Sequence, residues 1–378
     1  MTTLRTSCLS TEAEFDALAP AWRALEQQVP HLLPFQTYDW NRQWWSIFSS
    51  QKTWQHDELL VYTIVDGATL VAVMPLVRTQ VGLSGWPLYH YLRPFGFDPN
   101  LTELRLPLCM PAYASAIWRV WEELAAQGAL GLNEFQLINA KQLADTVLKN
   151  NAVLHVMSER SIPNYILTLD TDWDSFKTKL KRNIKESLRH CYNSLKRDGL
   201  QPSLRVCQGH AEIMPQLARF YALHGMRAAA SHTTEHPDYF ADPRHRAFLA
   251  ALFGSALGSR CYLLCLELNG EVVAMRLAFH MGEELYLYYS GYDLSYGKYS
   301  VMTTLVAETI QWSIAQKIPR INLSVGDDVS KTRWGPSMVE YAEYQCVSNT
   351  SWHRMLGSAV ARLRNRRKQY VSHNALRA

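Results

Sequence analysis

The sequence predicts an α/β protein with mixed β-sheets, in which two similar units follow one another along the chain. A hairpin signal occurs twice, as Asp66-Gly67 and as Asn269-Gly270, and a small residue follows at a matching place in the next strand. Segments with the period of a strand also alternate with segments with the period of a helix, which is typical of this fold class. The length of 378 residues exceeds what one hydrophobic core ordinarily serves, so two domains are expected.

We predict the boundary between these domains near residue 170, where Asp170-Thr171-Asp172 interrupts the pattern. This gives an N-terminal domain at residues 1–170, a C-terminal domain at residues 171–350 that would carry the chemistry, and a basic helix or tail at residues 351–378. Hydrophobic residues make up 48% of the chain and charged residues 19%, which excludes a disordered protein. The net charge of +4 is small, so only local clusters can indicate a charged partner.

Several classes of site and location are excluded by missing sequence signals. The seven cysteines are odd in number and form no Cys-x-x-Cys pair, so we expect free thiols in a reducing compartment. The sequence contains no signal-peptide pattern and no apolar run long enough to span a membrane, which predicts a cytoplasmic protein. It also lacks the His-Glu-x-x-His and Gly-x-Ser-x-Gly motifs, so we predict neither a metal site nor a hydrolase nucleophile.

The elements of the first half follow from capping and turn signals. Thr11-x-x-Glu14 is a capping box that begins a helix, and Pro20 should divide that helix. Pro34-Phe35-Gln36 begins a second helix, whose aromatic stripe we interpret as core. That stripe consists of Trp40, Trp44, Trp45 and Phe48. A hairpin is predicted at residues 59–77, further strands at 101–108, 133–139, 153–158 and 165–169, and helices at 112–127 and 141–150.

A single long helix is predicted at residues 173–197, with Gly199 just after its C-terminus. Its apolar positions recur at steps of three and four residues. Its other faces carry a group of cations: Lys177, Lys179, Lys181, Arg182, Lys185, Arg189, Lys196 and Arg197. Two interpretations stay open. Either the helix presents a solvated face of one charge sign, or it binds an anionic partner that offsets the repulsion among these cations.

The second half continues with strands at residues 261–268, 272–280 and 285–291, a loop at 292–300 and a helix at 301–315. The loop contains Gly297 and Lys298 and leads directly into the N-terminus of the helix. Free backbone N–H groups and the positive end of the helix dipole meet there, which favours phosphate binding. One glycine and one lysine also fit an ordinary connection between a strand and a helix, so both interpretations stay open.

The densest group of chemically active residues follows a predicted strand at residues 320–325. It reads Gly326-Asp327-Asp328-Val329-Ser330-Lys331-Thr332-Arg333-Trp334. Asp327 or Asp328 could act as a base, and only one should face a pocket because neighbours on an extended chain point in opposite directions. Lys331 could neutralise a developing oxyanion or bind an anionic substrate. Converging charges with the aromatic Trp334 at the end of a strand indicate a functional site.

Three further residues and the C-terminal segment allow two interpretations each. Arg276 is either a clamp for a substrate carboxylate or an outward-facing residue of an alternating strand. His224 and Arg227 share a predicted helix, where a histidine is more often structural than functional. Residues 351–368 form an amphipathic segment, which predicts either a closing helix with a basic end or a surface that contacts nucleic acid or membrane.

Together these motifs resemble the acetyltransferase family typified by CelD-like proteins of cellulose biosynthesis. That family belongs to the GNAT superfamily and is related to the Fem-type aminoacyltransferases. The resemblance covers roughly residues 34–336 through several loose motifs. They are Pro34-Phe35-Gln36 with Trp40 and Trp44, the basic segment with Lys181-Arg182-Asn183, the helix with His224 and Arg227, the three-strand meander, the Gly297 loop, and Gly326 to Trp334 with Lys331. The sequence differs from the family in having Gly297-Lys298-Tyr299 at the loop and Ser330 before the lysine.

The resemblance implies tandem GNAT-like domains and acyl transfer from an acyl-CoA, with acetyl-CoA as the expected donor, to the amine of a small acceptor. The pyrophosphate of the donor would lie at the Gly297 loop. The residues assigned to donor binding are Ser290, Tyr296, Gly297, Lys298, Tyr299 and Ser300. A backbone N–H near Tyr289 or Ser290 would stabilise the oxyanion. The catalytic candidates are Asp327, Asp328, Lys331 and Tyr289, and the substrate-binding candidates are Arg276, His224, Arg227, Trp334 and Arg182.

The acceptor would be an amino sugar or an amino-acid derivative. Two alternatives stay open. An aminoacyl-tRNA-dependent transferase would use the basic helix and tail to bind RNA phosphates. A non-catalytic partner in carbohydrate assembly would retain the fold without the chemistry, since one scaffold serves many functions.

Overall fold

The computed structural model describes residues 4–83, 86–98, 101–126, 135–140, 154–229 and 237–348. The predicted helix at residues 141–150 and the amphipathic segment at residues 351–368 lie outside the described residues. The chain divides into two compact units. The first unit comprises Met1–Val29, Ser49–Ile162 and Tyr341–Ala378, and the second comprises Pro30–Phe48 and Pro163–Glu340. These units differ from a single division at residue 170, because the second unit also includes the helix with the aromatic stripe.

The described helices and strands, in chain order, have the following bounds. The strands are β1 (Leu4–Leu9), β2 (Gln51–Lys52), β3 (Gln55–Asp66), β4 (Thr69–Leu83), β5 (Trp86–Pro94), β6 (Leu108–Cys109), β7 (Phe135–Ala140), β8 (Leu154–Thr168), β9 (Pro202–Gln208), β10 (Cys261–Leu268), β11 (Glu271–Met281), β12 (Glu284–Tyr292), β13 (Arg320–Val325) and β14 (Ser337–Ser348). The α-helices are α1 (Glu12–Ala17), α2 (Ala19–Glu26), α3 (Tyr38–Phe48), α4 (Ala114–Ala126), α5 (Trp173–Lys179), α6 (Arg182–Arg197), α7 (Gly209–Ile213), α8 (Leu217–Ala228), α9 (Pro243–Phe253), α10 (Val301–Ala315) and α11 (Val329–Thr332).

The first unit contains an antiparallel sheet with the strand order β1-β3-β4-β5. The predicted hairpin is confirmed as β3 and β4, and Gly67 at its turn has a φ of 62°, which glycine adopts without strain. The capping box at Thr11 is confirmed, and the helix is divided between α1 and α2 as Pro20 predicts. The predicted strand at residues 101–108 is wrong. Only Leu108–Cys109 pairs there, while Leu101 and Leu104 are buried without strand pairing.

The sheet of the second unit has the strand order β8-β13-β12-β11-β10-β9, in which residues 163–168 of β8 take part. Neighbouring strands within this sheet are antiparallel except for β12 and β13, which run parallel. One face of the sheet packs Leu287 and Leu323 against Ile184 of α6 and Leu305 of α10. On α3, Trp40 packs edge-on to Phe279 of β11, so the aromatic stripe is core, as predicted.

The predicted long helix at residues 173–197 is wrong in one respect, because the structure contains two helices there. Leu180 has an extended conformation at the end of α5, and Lys181 is the extended residue before α6. The apolar spacing continues across this interruption, since Phe176, Leu180 and Ile184 are all buried in the same core. Periodicity therefore predicted the buried face correctly and could not locate the break.

The two units share an order of elements, and the predicted α/β fold class is confirmed. In each unit, an outer strand is followed by helices and then by a two-stranded hairpin. A fourth strand comes next and precedes another helix. The strands of these series are β1-β3-β4-β5 and β9-β10-β11-β12, and the helices that follow are α4 and α10. Both hairpins therefore occupy corresponding positions in their sheets. Among the described residues, no helix combines the length and the apolar composition that crossing a membrane requires.

Candidate functional site

The candidate site begins where the two parallel strands of the second unit separate. The pairing of β12 with β13 covers three positions, from Glu284 opposite Arg320 to Tyr286 opposite Asn322. Beyond this point β12 continues to Tyr292 and β13 to Val325, but no further pairs join them. The strands are therefore splayed, and the backbone groups beyond residues 286 and 322 do not pair with one another.

A β-bulge in β12 lies beside the splayed segment. Arg276 pairs with Ser290 and Ala278 pairs with Leu287, so two residues of β12, Tyr288 and Tyr289, lie opposite one residue of β11. A bulge leaves one residue out of the regular ladder and turns its backbone and side chain toward a new direction. The oxyanion donor that the resemblance implies near Tyr289 would lie in this irregular stretch.

Gly291 lets helix α8 approach the end of β12 closely. A Cβ built on Gly291 would lie 2.3 Å from the backbone nitrogen of His224 and 2.4 Å from the carbonyl carbon of Leu223. Real Cβ atoms do not approach backbone atoms this closely, so any other residue would push α8 away from the strand. The helix that carries His224 and Arg227 is thereby held against the bulged part of β12.

Three predicted substrate-binding residues converge on Ser290. Nη1 of Arg227 donates a hydrogen bond to Oγ of Ser290 at 2.8 Å, and Nη2 of Arg276 lies 3.4 Å from the same oxygen. Nδ1 of His224 lies 3.0 Å from the carbonyl oxygen of Ser290. Ser290 itself is buried. Two guanidinium groups and an imidazole thus meet at one residue of the splayed strand.

Burial sets the ionisation of this cluster. The pKa of His224 is lowered chiefly because burial removes water from its ring, and a neutral imidazole is favoured. Its Nδ1 therefore donates to the Ser290 carbonyl. The pKa of Arg227 is also lowered by burial, an effect opposed by the neighbouring Asp328 carboxylate. Arginine keeps its charge even so, which makes Arg227 a partly desolvated cation.

Tyr289 packs into an aromatic group on the α8 side of the bulge. Its ring centroid lies 5.3 Å from those of Tyr239 and Phe240, and 5.6 Å from that of His224. The edge-on arrangement with His224 and Phe240 is favourable for aromatic pairs. The Tyr289 side chain is therefore positioned by packing, beside the cluster at Ser290.

The end of β13 has an unusual backbone. Ser324 has a φ of 66° and Gly326 a φ of 99°. The Lys331 side chain folds back over this turn, donating a hydrogen bond to Oγ of Ser324 at 3.1 Å and another to the Val325 carbonyl. Lys331 therefore stabilises the strand end in the free protein, and its charge lies beside the splayed segment.

The two candidate carboxylates have different surroundings. Oδ1 of Asp327 accepts a hydrogen bond from the hydroxyl of Tyr165 at 3.0 Å, and the Asp327 residue is exposed. Asp328 is the N-cap of α11, since its Oδ1 accepts from the backbone N–H of Ser330 at 2.7 Å. The two neighbouring carboxylates therefore have different partners, as expected for adjacent side chains that point in opposite directions. Asp328 caps the short helix α11, whereas Asp327 is exposed to solvent.

The loop before α10 leaves the helix N-terminus without a side-chain cap. Ser300 is the N-cap residue, has a φ of 52° and makes no capping bond through its side chain. Asp293 caps the preceding 3-10 turn Leu294–Tyr299 by accepting from Ser295. A Cβ on Gly297 would meet no atom of the described residues within 4 Å, so their packing does not require glycine there. The arrangement fits a site for an anion at the start of α10.

The aromatic and charged side chains of this loop contact carboxylates on neighbouring segments. The hydroxyl of Tyr299 donates to Asp198 at 2.6 Å, and Lys298 lies 3.6 Å from the same carboxylate. These contacts lower the pKa of Asp198, the Tyr299 bond most strongly. The hydroxyl of Tyr296 donates to Glu271 at 3.0 Å. The loop is thereby anchored to neighbouring segments, and its backbone faces the helix start.

Two predicted site residues lie elsewhere. Trp334 is 3% exposed and belongs to the hydrophobic core. Arg182 begins α6 with a solvent-exposed side chain that donates to Glu186 at 2.6 Å. Neither residue has a described contact with Ser290 or Asp327.

Sequence reasoning missed two residues beside the end of β13. Tyr165 is the partner of Asp327, and Asn164 pairs with Val325 across the strands. Asn164 is fully buried, and neither its Nδ2 nor its Oδ1 has a hydrogen-bond partner among the described residues. A polar Asn directly before the apolar run at residues 165–167 was the available signal, but its strand partner could not be read from sequence. Within the described ranges, no group of three or more metal-binding side chains occurs.

The comparison with protein families shows what most of this unit is similar to. A family model described as an acetyltransferase (GNAT) domain matches residues 182–334. Over those residues the chain matches a GNAT-type acetyltransferase domain. The match includes the splayed strands, the Ser290 cluster and the α10 N-terminus. The prediction of a GNAT-type acyltransferase is confirmed at the level of this domain, and no curated protein matches the chain in sequence.

Solved structures share the fold over nearly the whole chain. FemX superposes with a TM-score of 0.56 at 10% identity, covering 89% of this chain and 96% of FemX. The C-terminal domain of an Agrobacterium fabrum protein described as a lysylphosphatidylglycerol synthetase superposes with a TM-score of 0.50 at 12% identity, covering 93% of this chain and 97% of that domain. At these identities the likeness shows the fold alone.

Proposed function

We propose that this GNAT domain transfers an acyl group from an acyl-CoA, with acetyl-CoA as the expected donor, to the amine of a small acceptor. The acceptor would be an amino sugar or an amino-acid derivative. The observation that carries this proposal is the separation of β12 and β13 after three paired positions, next to the uncapped start of α10. A donor can then use unpaired strand backbone at one end and helix N–H groups at the other. The finer CelD-like type and a cytoplasmic location belong to the same proposal.

The residues present fit a CoA donor. The backbone around Gly297 to Ser300 and the first turn of α10 would hold the pyrophosphate, because helix N–H groups and the helix dipole favour phosphate there. Gly297 leaves room for close approach, and no packing contact of its own explains a glycine. Lys298 lies nearby as an exposed cation, paired with Asp198. The donor supplies the activated acyl group.

The bulge residues would stabilise charge that develops on the carbonyl oxygen. A backbone N–H of the stretch from Tyr289 to Ser290 is the proposed oxyanion donor, since the bulge releases this backbone from regular pairing. The Tyr289 ring would fix the position of that backbone through its aromatic contacts. Lys331, which is held at the end of β13, would add positive charge on the other side of the splayed segment.

Asp327 is the proposed base that removes a proton from the acceptor amine. It is accessible and is oriented by the hydroxyl of Tyr165, whereas the Asp328 carboxylate caps α11. A positioned carboxylate contributes about 10²–10⁴-fold to such a reaction. The Ser290 cluster, with Arg227, Arg276 and His224, would bind the acceptor. Trp334 would support the site from the core beneath it.

A second candidate uses aminoacyl-tRNA as the donor, and one observation favours it. Helices α5 and α6 present an exposed basic surface that includes Lys177, Lys181, Arg189 and Lys196. Other cations of this surface are engaged locally, for example Lys179 with Asp170 and Arg197 with Asp198. Local pairing reduces the charge available to RNA, so we place acyl-CoA first. Arg182 belongs to this surface and would contact RNA in this alternative.

Titration with acetyl-CoA and with aminoacyl-tRNA at two salt concentrations separates the donors. We expect acetyl-CoA to bind and to raise the melting temperature, with little change when Lys181 and Arg189 are reversed to Glu. Binding of tRNA alone, falling by roughly 0.7–0.9 log units per phosphate contact per decade of salt, would replace the first candidate with the second. Binding of neither, with no transfer to any amine, would contradict both.

A further inference from the structure

Asn164 is a buried polar residue of β8 that the described part of the chain leaves without side-chain hydrogen bonds. It is 0% exposed, and neither its Nδ2 nor its Oδ1 has a partner among those residues. Folded proteins satisfy nearly all buried polar groups with protein atoms, ordered water or a ligand, because a buried group without partners is costly. The Asn164 carboxamide therefore offers a donor and an acceptor to a group from outside the described residues.

A second buried asparagine of the same sheet shows the contrast. Asn322 lies on β13 and is 1% exposed. Its Nδ2 donates to Oε1 of Glu284 at 2.8 Å, and its Oδ1 accepts from the backbone N–H of Ser324 at 2.9 Å. Both ends of the Asn322 amide are thus used within the protein, as a structural role requires. Asn164 lies one step further along the β8–β13 pairing and lacks such partners in the described ranges.

The pairing around Asn164 is irregular. Just before the pair of Val325 with Asn164, two residues of β13, Leu323 and Ser324, lie opposite one residue of β8. This is a bulge, which bends its strand, and Ser324 has a φ of 66° there. The pairing of β13 with β12 has also ended by this point. β13 therefore departs from regular pairing on both of its edges beside Asn164.

Asn164 is adjacent to two contacts of the candidate catalytic residues. Tyr165, the next residue, donates to Asp327 at 3.0 Å. Val325, directly opposite Asn164, accepts a hydrogen bond from Lys331 through its carbonyl oxygen. The Tyr165 ring packs into the core that includes α10, and alternation along β8 places Asn164 on the other face. The two neighbours therefore flank the end of β13 from opposite faces.

A carboxamide with both polar ends unused matches an amide of a ligand. An amide presents one N–H donor and one carbonyl acceptor, whereas a carboxylate only accepts and an ammonium only donates. We infer that Asn164 binds an amide group of a substrate and positions that substrate at the end of β13. This inference rests on the proposed acyl transfer at the splayed strands. Acyl-CoA carries amides in its chain, and an acceptor derived from an amino acid or an amino sugar can carry one, so the test separates these two sources.

The kinetic test uses two amines of equal chain length, N-(2-aminoethyl)acetamide and pentylamine, with acetyl-CoA as the donor and release of free CoA as the signal. The variants are Asn164→Leu, which is similar in size, and Asn164→Ala. If the acceptor supplies the amide, both variants should raise KM roughly tenfold for N-(2-aminoethyl)acetamide and leave pentylamine unchanged. If the donor supplies it, KM for acetyl-CoA should rise roughly tenfold with either amine.

Two further asparagines serve as comparisons. Asn193→Leu, on the exposed side of α6, is the matched control and should leave every KM unchanged. Asn322→Leu should lower the melting temperature of the free protein, because Glu284 and Ser324 lose their partner. Asn164→Leu should not lower it. Circular dichroism checks that each variant is folded, and failure of both Asn164 variants to fold would overturn the inference, since the amide would then be structural.

A binding measurement separates this inference from the proposed function. Acetyl-CoA and N-(2-aminoethyl)acetamide are each titrated calorimetrically into the wild type and the Asn164 variants, so no transfer is needed. A roughly tenfold loss of affinity for one of these ligands in both variants supports the inference even if no acyl transfer occurs. Acyl transfer with unchanged KM and unchanged affinities in folded Asn164 variants would overturn the inference and leave the proposed function standing. Binding of neither ligand by the wild type would overturn both.

Discussion

The hydroxyl of Tyr165 donates a hydrogen bond of 3.0 Å to Oδ1 of Asp327, and this bond joins β8 to the turn that follows β13. The Tyr165 residue is buried, while Asp327 is exposed. The pKa of Tyr165 is raised, first by burial and then by the neighbouring carboxylate. Tyr165 therefore keeps its proton at neutral pH and stays a donor. The bond fixes one oxygen of Asp327 and leaves the other to act on a substrate.

Asp327→Asn should lower kcat about 10²–10⁴-fold, because an amide cannot accept the proton of the acceptor amine. The matched control is Asp328→Asn. Asparagine caps helices about as well as aspartate, so α11 should persist and activity should change little. Steady-state kinetics with acetyl-CoA and an accepted amine measure both variants. Equal and full activity of both would show that this turn has no part in proton transfer.

Tyr165→Phe should lower kcat about 2–10-fold with the KM for acetyl-CoA unchanged, since it removes one orienting hydrogen bond of about 0.5–1.5 kcal/mol. The ring and its packing remain in place. The double variant Tyr165→Phe with Asp327→Asn distinguishes a positioning role from a separate one. If Tyr165 acts through Asp327, the double variant should be no worse than Asp327→Asn alone. Multiplied losses would contradict this relationship.

The local part of the fold could be predicted from sequence, whereas the assembly of the site could not. The Asn269-Gly270 turn and the helix at residues 301–315 depend on neighbouring residues, and β11 and α10 agree with those predictions. The splay and the bulge depend on which strands pair and where pairing stops. Nothing in the sequence near Ser290 indicates that Arg227 and Arg276 meet there, because α8 reaches the strand only through the space left by Gly291.

Trp334 and Lys181 are two residues whose surroundings the sequence predicted incorrectly. The sequence places Trp334 among charges, which made it a substrate-binding candidate, yet long-range packing places it in the core. Lys181 continues a helical period, yet the backbone is extended there and divides α5 from α6. Residue type and period indicate what a segment can bury, and tertiary contacts decide where it lies.

Gly291→Ala and Gly297→Ala should have opposite consequences. A Cβ at residue 291 would lie 2.3 Å from the His224 backbone nitrogen, so Gly291→Ala should destabilise the protein by about 1–3 kcal/mol or more. A Cβ at residue 297 meets no protein atom within 4 Å, so Gly297→Ala should leave the melting temperature unchanged. Gly297→Val should weaken acetyl-CoA binding while the protein stays folded. Unchanged acetyl-CoA binding by Gly297→Val would place the pyrophosphate elsewhere.

The stability of the protein should fall with acidity partly through His224. Burial lowers the pKa of this ring below its ordinary value of 6.5, so the unfolded chain binds the proton more readily than the folded one. The contribution is therefore present above the unfolded pKa and is lost as the pH falls below it. Urea unfolding at pH 7.5 and pH 5.5 should show a smaller loss for His224→Gln than for the wild type. His190→Gln, on the exposed face of α6, is the control and should follow the wild type.

Asn164→Leu should separate ligand binding from stability at the end of β13. In the described part of the chain, the buried Asn164 amide has no hydrogen-bond partner for either polar atom, and such a group costs about 1–3 kcal/mol. Leucine is similar in size and removes that cost, so the melting temperature of the free protein should stay the same or rise. If the amide binds a substrate, the increase in melting temperature caused by saturating acetyl-CoA or by an accepted amine should shrink. A marked loss of stability without ligand would instead show that the amide supports the strand pair at Val325, since Asn164 lies directly opposite that residue.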